Sequence, residues 1–300
     1  MIEYLKKYLK INDVEFKEKI KLSDFSAIRI GGEANIVTYP DTANKLVALL
    51  SFCQRFDLKY KIVGNMSNLL PLDDGYDGII VKTDKINSFE ISENNLKVGC
   101  GVKLPLIATK AAIAGLSGME GICGIPGQVG GSVRGNAGAF GREISDIIVS
   151  CEVYLPTFDE ITTLLPSELD FSYRSSIISS IDLVILSAEF KLKKSDKDSV
   201  FLEMQRLNGL RKNTQPISYP SLGSFFKRTE NCESAARLID LCGLKGERVG
   251  DAAVSDKHAG FIVNLANATS YQVLTLASVV EERVYERFGT RLKREVEILN

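Results

Sequence analysis

The segment "GLSGMEGICGIPGQVGGSVRGNAGAFG", Gly115 to Gly141, constrains this chain most, because glycine recurs at every third position from Gly115 through Gly130. A triplet period first raises collagen, in which only glycine fits the crowded axis of the triple helix. The run is too short and holds too little proline for that. A flexible linker fails as well, because Met119, Ile122, Ile125 and Val129 are apolar side chains for which a solvated linker has no use. What remains is a folded loop that turns sharply and lies close to a bound group. Glycine permits positive φ and exposes its amide, so successive glycine amides form a concavity for an anion such as a diphosphate.

One glycine-rich loop is a weak signal. It matches neither the Gly-x-Gly-x-x-Gly dinucleotide fingerprint nor the Gly-Lys-Ser/Thr ending of a P-loop. A second loop adds weight: "IVGNMSNLLPLDDG" runs from an apolar strand straight into Gly64, Asn65, Ser67 and Asn68, whose amides and side chains also offer donors. Two such loops, about sixty residues apart, point to a long cofactor with a diphosphate at its middle.

At 300 residues the chain exceeds the usual size of one domain, so two or three lobes are expected. With 45% hydrophobic and 25% charged residues and a formal net charge of -1, it has no general basic surface for nucleic acid. The six cysteines, Cys53, Cys100, Cys123, Cys151, Cys232 and Cys242, form no Cys-x-x-Cys pair. That argues against a zinc site and against a disulfide framework, and for a reduced cytoplasmic protein. The first twenty residues are charged throughout, unlike a secretory signal, and no apolar run reaches the roughly 20 residues of a membrane span. The single histidine, His258, rules out mechanisms that need two. It reads as a packed, hydrogen-bonded side chain.

Helical periodicity marks "DTANKLVALLSFCQRF", "LPLIATKAAIAG", "SAARLIDLCG" and "SYQVLTLASVVEERVYERFG", the last with Val273, Ala277, Val280 and Val284 as its apolar stripe. Strands are expected at "KYKIVG", "GIIVK", "NLKVGCG", "DIIVSCEVYL", "EITTLL" and "LVILSAEFKLKK". The charged "KKSDKDS", Lys193 to Ser199, is the best linker candidate.

The motifs "IGGEA", "IVGNMSNLL", "GMEGICGIPGQVGGSVRGNAGAFGREI", "YRSS", "PSLGSFFKR", "GLKGERVGDAAVSDKHAGFIVN" and "REVEIL" follow in the order found in the UDP-N-acetylenolpyruvoylglucosamine reductase (MurB) family. The chain resembles the shorter, type II, subtype from about Ser26 to Leu299. The resemblance implies an α+β protein: an N-terminal segment 1–25, an FAD-binding domain of the vanillyl-alcohol-oxidase (PCMH) type over 26–193, a smaller α/β substrate-binding domain over 200–290, and a tail 291–300. It implies non-covalent FAD, NADPH as hydride donor, an enolpyruvyl UDP-sugar as substrate, no metal, and no obligatory protein partner. The cofactor contacts it implies are Gly64, Asn65, Ser67, Asn68 and Leu69 in the first loop. In the second they are Gly124, Ile125, Pro126, Gly127, Gly130, Gly131, Ser132, Asn136, Ala137 and Gly138. Gly130 and Gly131 in particular read as positions where a side chain would collide with FAD.

Adding hydride to an enol ether conjugated with a carboxylate builds charge on the carboxylate oxygens, and the adjacent carbon must then take a proton. Matching to the family motifs puts Arg174 and Glu295 at the carboxylate and makes Ser224 the proton donor. Arginine suits this role through its permanently charged fork. Glu295 helps only if it is protonated or held as a donor, and Ser224 needs a polarising neighbour. Tyr173, Lys212, Lys227 and Arg228 are the expected substrate contacts. There are three departures from the family pattern. Met66 stands where a turn glycine is usual, Thr214 stands where lysine is frequent, and little chain follows Glu295 to fix its position. These departures motivate the alternative of a flavin- or nucleotide-binding module without turnover. A flavin-domain relative that oxidises an alcohol is disfavoured, because the motifs after the linker match the reductase.

Overall fold

The computed structural model describes residues 1–231 and 233–300; Cys232 lies outside them. The backbone forms two compact units that do not follow chain order. One comprises 1–17, 36–64 and 78–210, and the other 18–35, 65–77 and 211–300.

In the first unit a five-stranded antiparallel sheet runs Glu160–Leu164, Ile148–Leu155, Val184–Lys191, Asn95–Gly99, Phe89–Ser92. Cys151, Val153, Leu186, Ala188, Phe190, Leu96 and Val98 from its three inner strands are buried. A parallel pair, Tyr60–Val63 with Tyr76–Lys82, feeds the first loop directly at Gly64. Helix Ala43–Arg55 begins where the Thr42 hydroxyl accepts the Lys45 amide at 3.2 Å, which satisfies one of the donors a helix start leaves open. It buries Leu46, Leu49, Leu50 and Cys53, the face expected from their spacing. The glycine run contains one short helix, Val129–Arg134, packed against the strands Val184–Lys191 and Asn95–Gly99.

The segment read as a linker lies inside this unit. Lys193–Lys194 is a short strand paired with Leu116–Ser117, and Lys197 opens the helix Lys197–Thr214. Charge marked solvent exposure there, not a break in the fold.

In the second unit an antiparallel sheet runs Ser221–Ser224, Phe261–Asn264, Ala252–Val254, Arg248–Val249. Helices Ala235–Leu241 and Ser270–Phe288 share its core with Phe225, Phe226, Val254 and Ile262. The longer helix starts at a capping box, in which Thr269 and Gln272 satisfy each other's backbone, and ends at Gly289 with φ 64. The Asp73 carboxylate also accepts from the Ser270 hydroxyl and from the amides of Ser270 and Tyr271, at 2.8 to 3.2 Å. That anchors the chain just after the first loop. Leu69–Pro71 pairs in parallel with Glu297–Leu299, so the segment after the first loop and the end of the chain are neighbouring strands.

Candidate active site

In the first unit the two loops meet through Gln128, which is 3% exposed. Its side-chain oxygen accepts from the Thr83 hydroxyl at 3.0 Å, and its nitrogen donates to Asp84 at 2.6 Å. A Cβ on Gly64 would lie 2.3 Å from that same oxygen, so residue 64 has no room for a side chain. The Lys82 ammonium, itself nearly buried, donates to the Gly64 carbonyl at 3.2 Å and pairs with Asp84 at 3.1 Å. None of Gln128, Thr83, Asp84 or Lys82 stood out in the sequence. The only available signal was the position of Gln128 immediately before "VGG".

Along the second loop, Gly127, Gln128, Val129 and Ser132 are buried, Gly124 and Ile125 are half-buried, and Pro126 and Gly131 are exposed. Gly130 and Gly131 differ in what surrounds them. A Cβ on Gly130 would lie 3.1 Å from Cys100 Cβ and 3.3 Å from its carbonyl oxygen, and the Gly130 amide donates to that carbonyl at 2.8 Å. A Cβ on Gly131 would meet no atom within 4 Å. Gly130 is therefore a packing glycine, and Gly131 faces open space. Ser132 spends its hydroxyl on the Gln128 carbonyl at 2.8 Å. Asn136, 1% exposed, donates to Glu143 and to the Ser172 carbonyl and accepts the Ser145 amide. Its side chain thus binds the loop to the "YRSS" segment. Ala137 donates its amide to Ser132, and Gly138 pairs with Glu143.

Tyr173 and Arg174 occupy the tip of a tight turn in which Ser172 and Ser175 exchange backbone hydrogen bonds at 3.0 and 3.2 Å. Arg174 has φ 55, a left-handed conformation that strains a residue with a side chain. Its guanidinium donates to the Gly138 carbonyl at 2.8 Å and lies 5.2 Å from the Tyr173 ring centroid. Arg174 and the glycine loop thus share one end of this unit.

In the second unit the turn continues through Asn65, Met66, Ser67 and Asn68. Met66 keeps a φ of 46. The glycine-like turn therefore survives the substitution, and its side chain is tucked in at 4% exposure. The strand carrying Ser224 is irregular: its register against Phe261–Asn264 shifts between Ser221 and Ser224, and Gly223 has φ 77. A bulge of this kind re-aims side chains. Leu222, Phe225 and Phe226 are all buried, while Ser224 between them is exposed. Glu295 is held on both sides of its backbone. Its amide donates to the Phe225 carbonyl at 2.8 Å, and its carbonyl accepts from the Asn68 side chain at 3.0 Å. The preceding Arg294 grips Glu281 with two bonds of 2.6 and 2.9 Å. The short tail is thus firmly anchored. Asn68, Ser224 and Glu295 form one cluster.

Lys227 joins the tail through its amide, which donates to the Lys293 carbonyl at 2.8 Å, and Arg228 follows it, exposed. Lys212 lies in the last turn of its helix, two residues before Thr214, and its carbonyl accepts from the Lys257 ammonium. Lys257 thus places a cation at the Lys212 carbonyl, in the last turn of that helix. His258 is spent on packing: its Nδ1 accepts the Gly260 amide at 3.2 Å, its ring meets Phe261 edge-on, and burial holds its pKa below the ordinary imidazole value. Desolvation pushes the thiols of Cys53, Cys100 and Cys151 up to about 12, which keeps them unreactive. Among the described residues no cluster of His, Cys, Asp and Glu is arranged to hold a metal, and no helix is long and apolar enough to cross a membrane.

Residues 34–162 match the model of an FAD binding domain, and residues 215–299 match that of the UDP-N-acetylenolpyruvoylglucosamine reductase C-terminal domain. UDP-N-acetylenolpyruvoylglucosamine reductase of Caldicellulosiruptor bescii is 40% identical over 97% of this chain and 93% of its own length. The chain belongs to the UDP-N-acetylenolpyruvoylglucosamine reductase family. The reductase of Clostridium kluyveri is likewise 40% identical, over 98% and 96% of the two chains. The crystal structure of MurB from Thermus caldophilus superposes with a TM-score of 0.81 at 35% identity, covering 96% of this chain and 99% of that one. Berberine bridge enzyme from Eschscholzia californica shares the fold over 64% of this chain and 44% of its own, with a TM-score of 0.51 at 15% identity. The fold is thus an FAD-binding domain of the PCMH type joined to the reductase C-terminal domain.

Within the first unit the two loops leave room for the FAD of this reductase family, with Gly64 confined against Gln128 and open space beside Gly131. In the second unit Met66 keeps the left-handed turn. Met66→Gly relieves a left-handed strain of about 1 kcal/mol, but it deletes a buried side chain worth about 2 to 5 kcal/mol. The expected result is a net stability loss of about 1 to 4 kcal/mol in urea denaturation, with flavin content unchanged.

Proposed function

We propose that the protein reduces UDP-N-acetylglucosamine enolpyruvate to UDP-N-acetylmuramate with NADPH, in the cytoplasmic synthesis of peptidoglycan precursor. The observation that carries this reading is full-length similarity to the reductases, together with an intact Arg174, Ser224 and Glu295. FAD, when bound, would supply the two-electron hydride chemistry that links NADPH to the vinyl methylene carbon of the enolpyruvyl ether. Gly64, Asn65, Ser67, Asn68 and Leu69, with the backbone of Gly124 to Gly138, are the residues that would hold it.

What remains for the chain is charge and proton. As hydride adds, negative charge moves onto the substrate carboxylate, and Arg174 offers a fixed fork of N–H donors for its two oxygens. Its guanidinium is oriented beforehand by the Gly138 carbonyl, so little reorganisation is needed when charge develops. Glu295, acting as a donor, holds the same carboxylate. Ser224 delivers its hydroxyl proton to the carbon beside the carboxylate as it takes one from solvent, to which the bulge exposes it. Tyr173, Lys212, Lys227 and Arg228 bind the sugar nucleotide, with cations for its diphosphate.

The test is optical. Protein loaded with FAD should be yellow, bleach on adding NADPH, and recover its colour on adding the enolpyruvyl substrate. A colourless protein that takes up no added FAD would sink the reading. Arg174→Ala should slow recovery about 100-fold or more and leave bleaching within a factor of about two. Stopped-flow absorbance separates the two phases. A binding module without turnover is not favoured, since Met66, its main motive, leaves the turn in place.

A further inference from the structure

Asn68 lies in the turn expected to hold the cofactor, yet its side chain makes a bond of another kind. The Nδ2 amide donates to the Glu295 carbonyl at 3.0 Å, across 227 residues of sequence. The Asn68 carbonyl accepts the Glu297 amide at 3.0 Å. Asn68 therefore brackets Glu295 with one donor and one acceptor, and the parallel pairing of Leu69–Pro71 with Glu297–Leu299 continues directly from it. From the other side the Phe225 carbonyl takes the Glu295 amide at 2.8 Å, and Phe225 follows Ser224.

We infer that Asn68 is a positioning residue for the second half of the reaction, acting through Glu295. All three of these hydrogen bonds involve either Asn68 or the neighbour of Ser224, so the register of the segment at Asn68 sets the height of Glu295 relative to the serine. The side-chain bond is the one that a strand ladder does not supply. Without it the Glu295 carbonyl turns to water, and the peptide on its C-terminal side loses the restraint that acts on its carbonyl. A misplacement of about 1 Å at a reacting group costs roughly 100-fold in rate. An aspartate at 68 would do worse than alanine, because it sets a carboxylate oxygen against the carbonyl oxygen. This inference rests on the role proposed for Glu295.

The experiment is a double-mutant cycle on FAD-loaded protein with Asn68→Ala, Glu295→Ala and the double variant. It measures flavin content, NADPH bleaching and substrate-driven recovery. Compared at equal FAD loading, Asn68→Ala is expected to lower the recovery rate at saturating substrate at least 10-fold and to slow NADPH bleaching far less. In the Glu295→Ala background the same change should cost less than about twofold, because a residue that acts through another has nothing left to position. Asn68→Asp should recover more slowly than Asn68→Ala. If the two single losses multiply in the double variant, or if Asn68→Ala loses flavin and recovers normally once FAD is restored, the inference is overturned. If Glu295→Ala recovers at the wild-type rate, the proposed role of Glu295 fails first, and the inference falls with it.

Discussion

Ser224→Ala should bleach with NADPH as fast as the parent protein and then fail to regain its colour at a useful rate on adding substrate. A positioned general acid contributes about 100- to 10,000-fold, and that is the expected loss in recovery. Hydride transfer to the flavin needs no proton from Ser224, so the first phase is spared. Loss of one exposed hydroxyl leaves the bulge intact, since Gly223 and the register shift set it, and thermal stability should be unchanged. The decisive readout is the phase affected. Equal slowing of both phases would point to a disturbed cofactor, and normal recovery would remove Ser224 from the chemistry.

Gly131→Val should yield a folded, colourless protein. Its Cβ meets nothing within 4 Å of the chain, so the valine branches project into the open space beside the second loop, which we propose FAD fills. Circular dichroism should match the parent protein while bound flavin falls below about one-tenth, and retained flavin would refute the cradle. The neighbouring Gly130→Val must behave differently, because its branches meet Cys100 in the core. Overpacking there costs about 1 to 3 kcal/mol, so the melting temperature should drop, whatever happens to flavin. Paired substitutions at adjacent glycines thus separate a cofactor cradle from a packing requirement. Sequence spacing alone had treated the two as equivalent.

The local pattern was legible where one element settles its own fate. The Leu46, Leu49, Leu50 and Cys53 face and the Val273, Ala277, Val280 and Val284 stripe are both buried, as helical spacing requires. The strands expected at "DIIVSCEVYL" and "LVILSAEFKLKK" are the paired central strands Ile148–Leu155 and Val184–Lys191. Local signals misled at Lys193 to Ser199, where charge suggested a boundary. A short edge strand and a helix start both tolerate charge on their solvent sides, so composition could not distinguish them from a linker.

The sequence by itself determined the helices and strands, the two donor-rich loops, and the family, because each rests on residues close together in the chain or on motifs in a fixed order. Tertiary structure alone decided that Gln128 locks the two loops together, that a bulge exposes Ser224 between buried Leu222 and Phe225, and that Asn68 holds Glu295. Those contacts join residues tens to hundreds of positions apart. A single chain carries no local mark of which distant partner fills a hydrogen bond, so only the folded backbone could supply it.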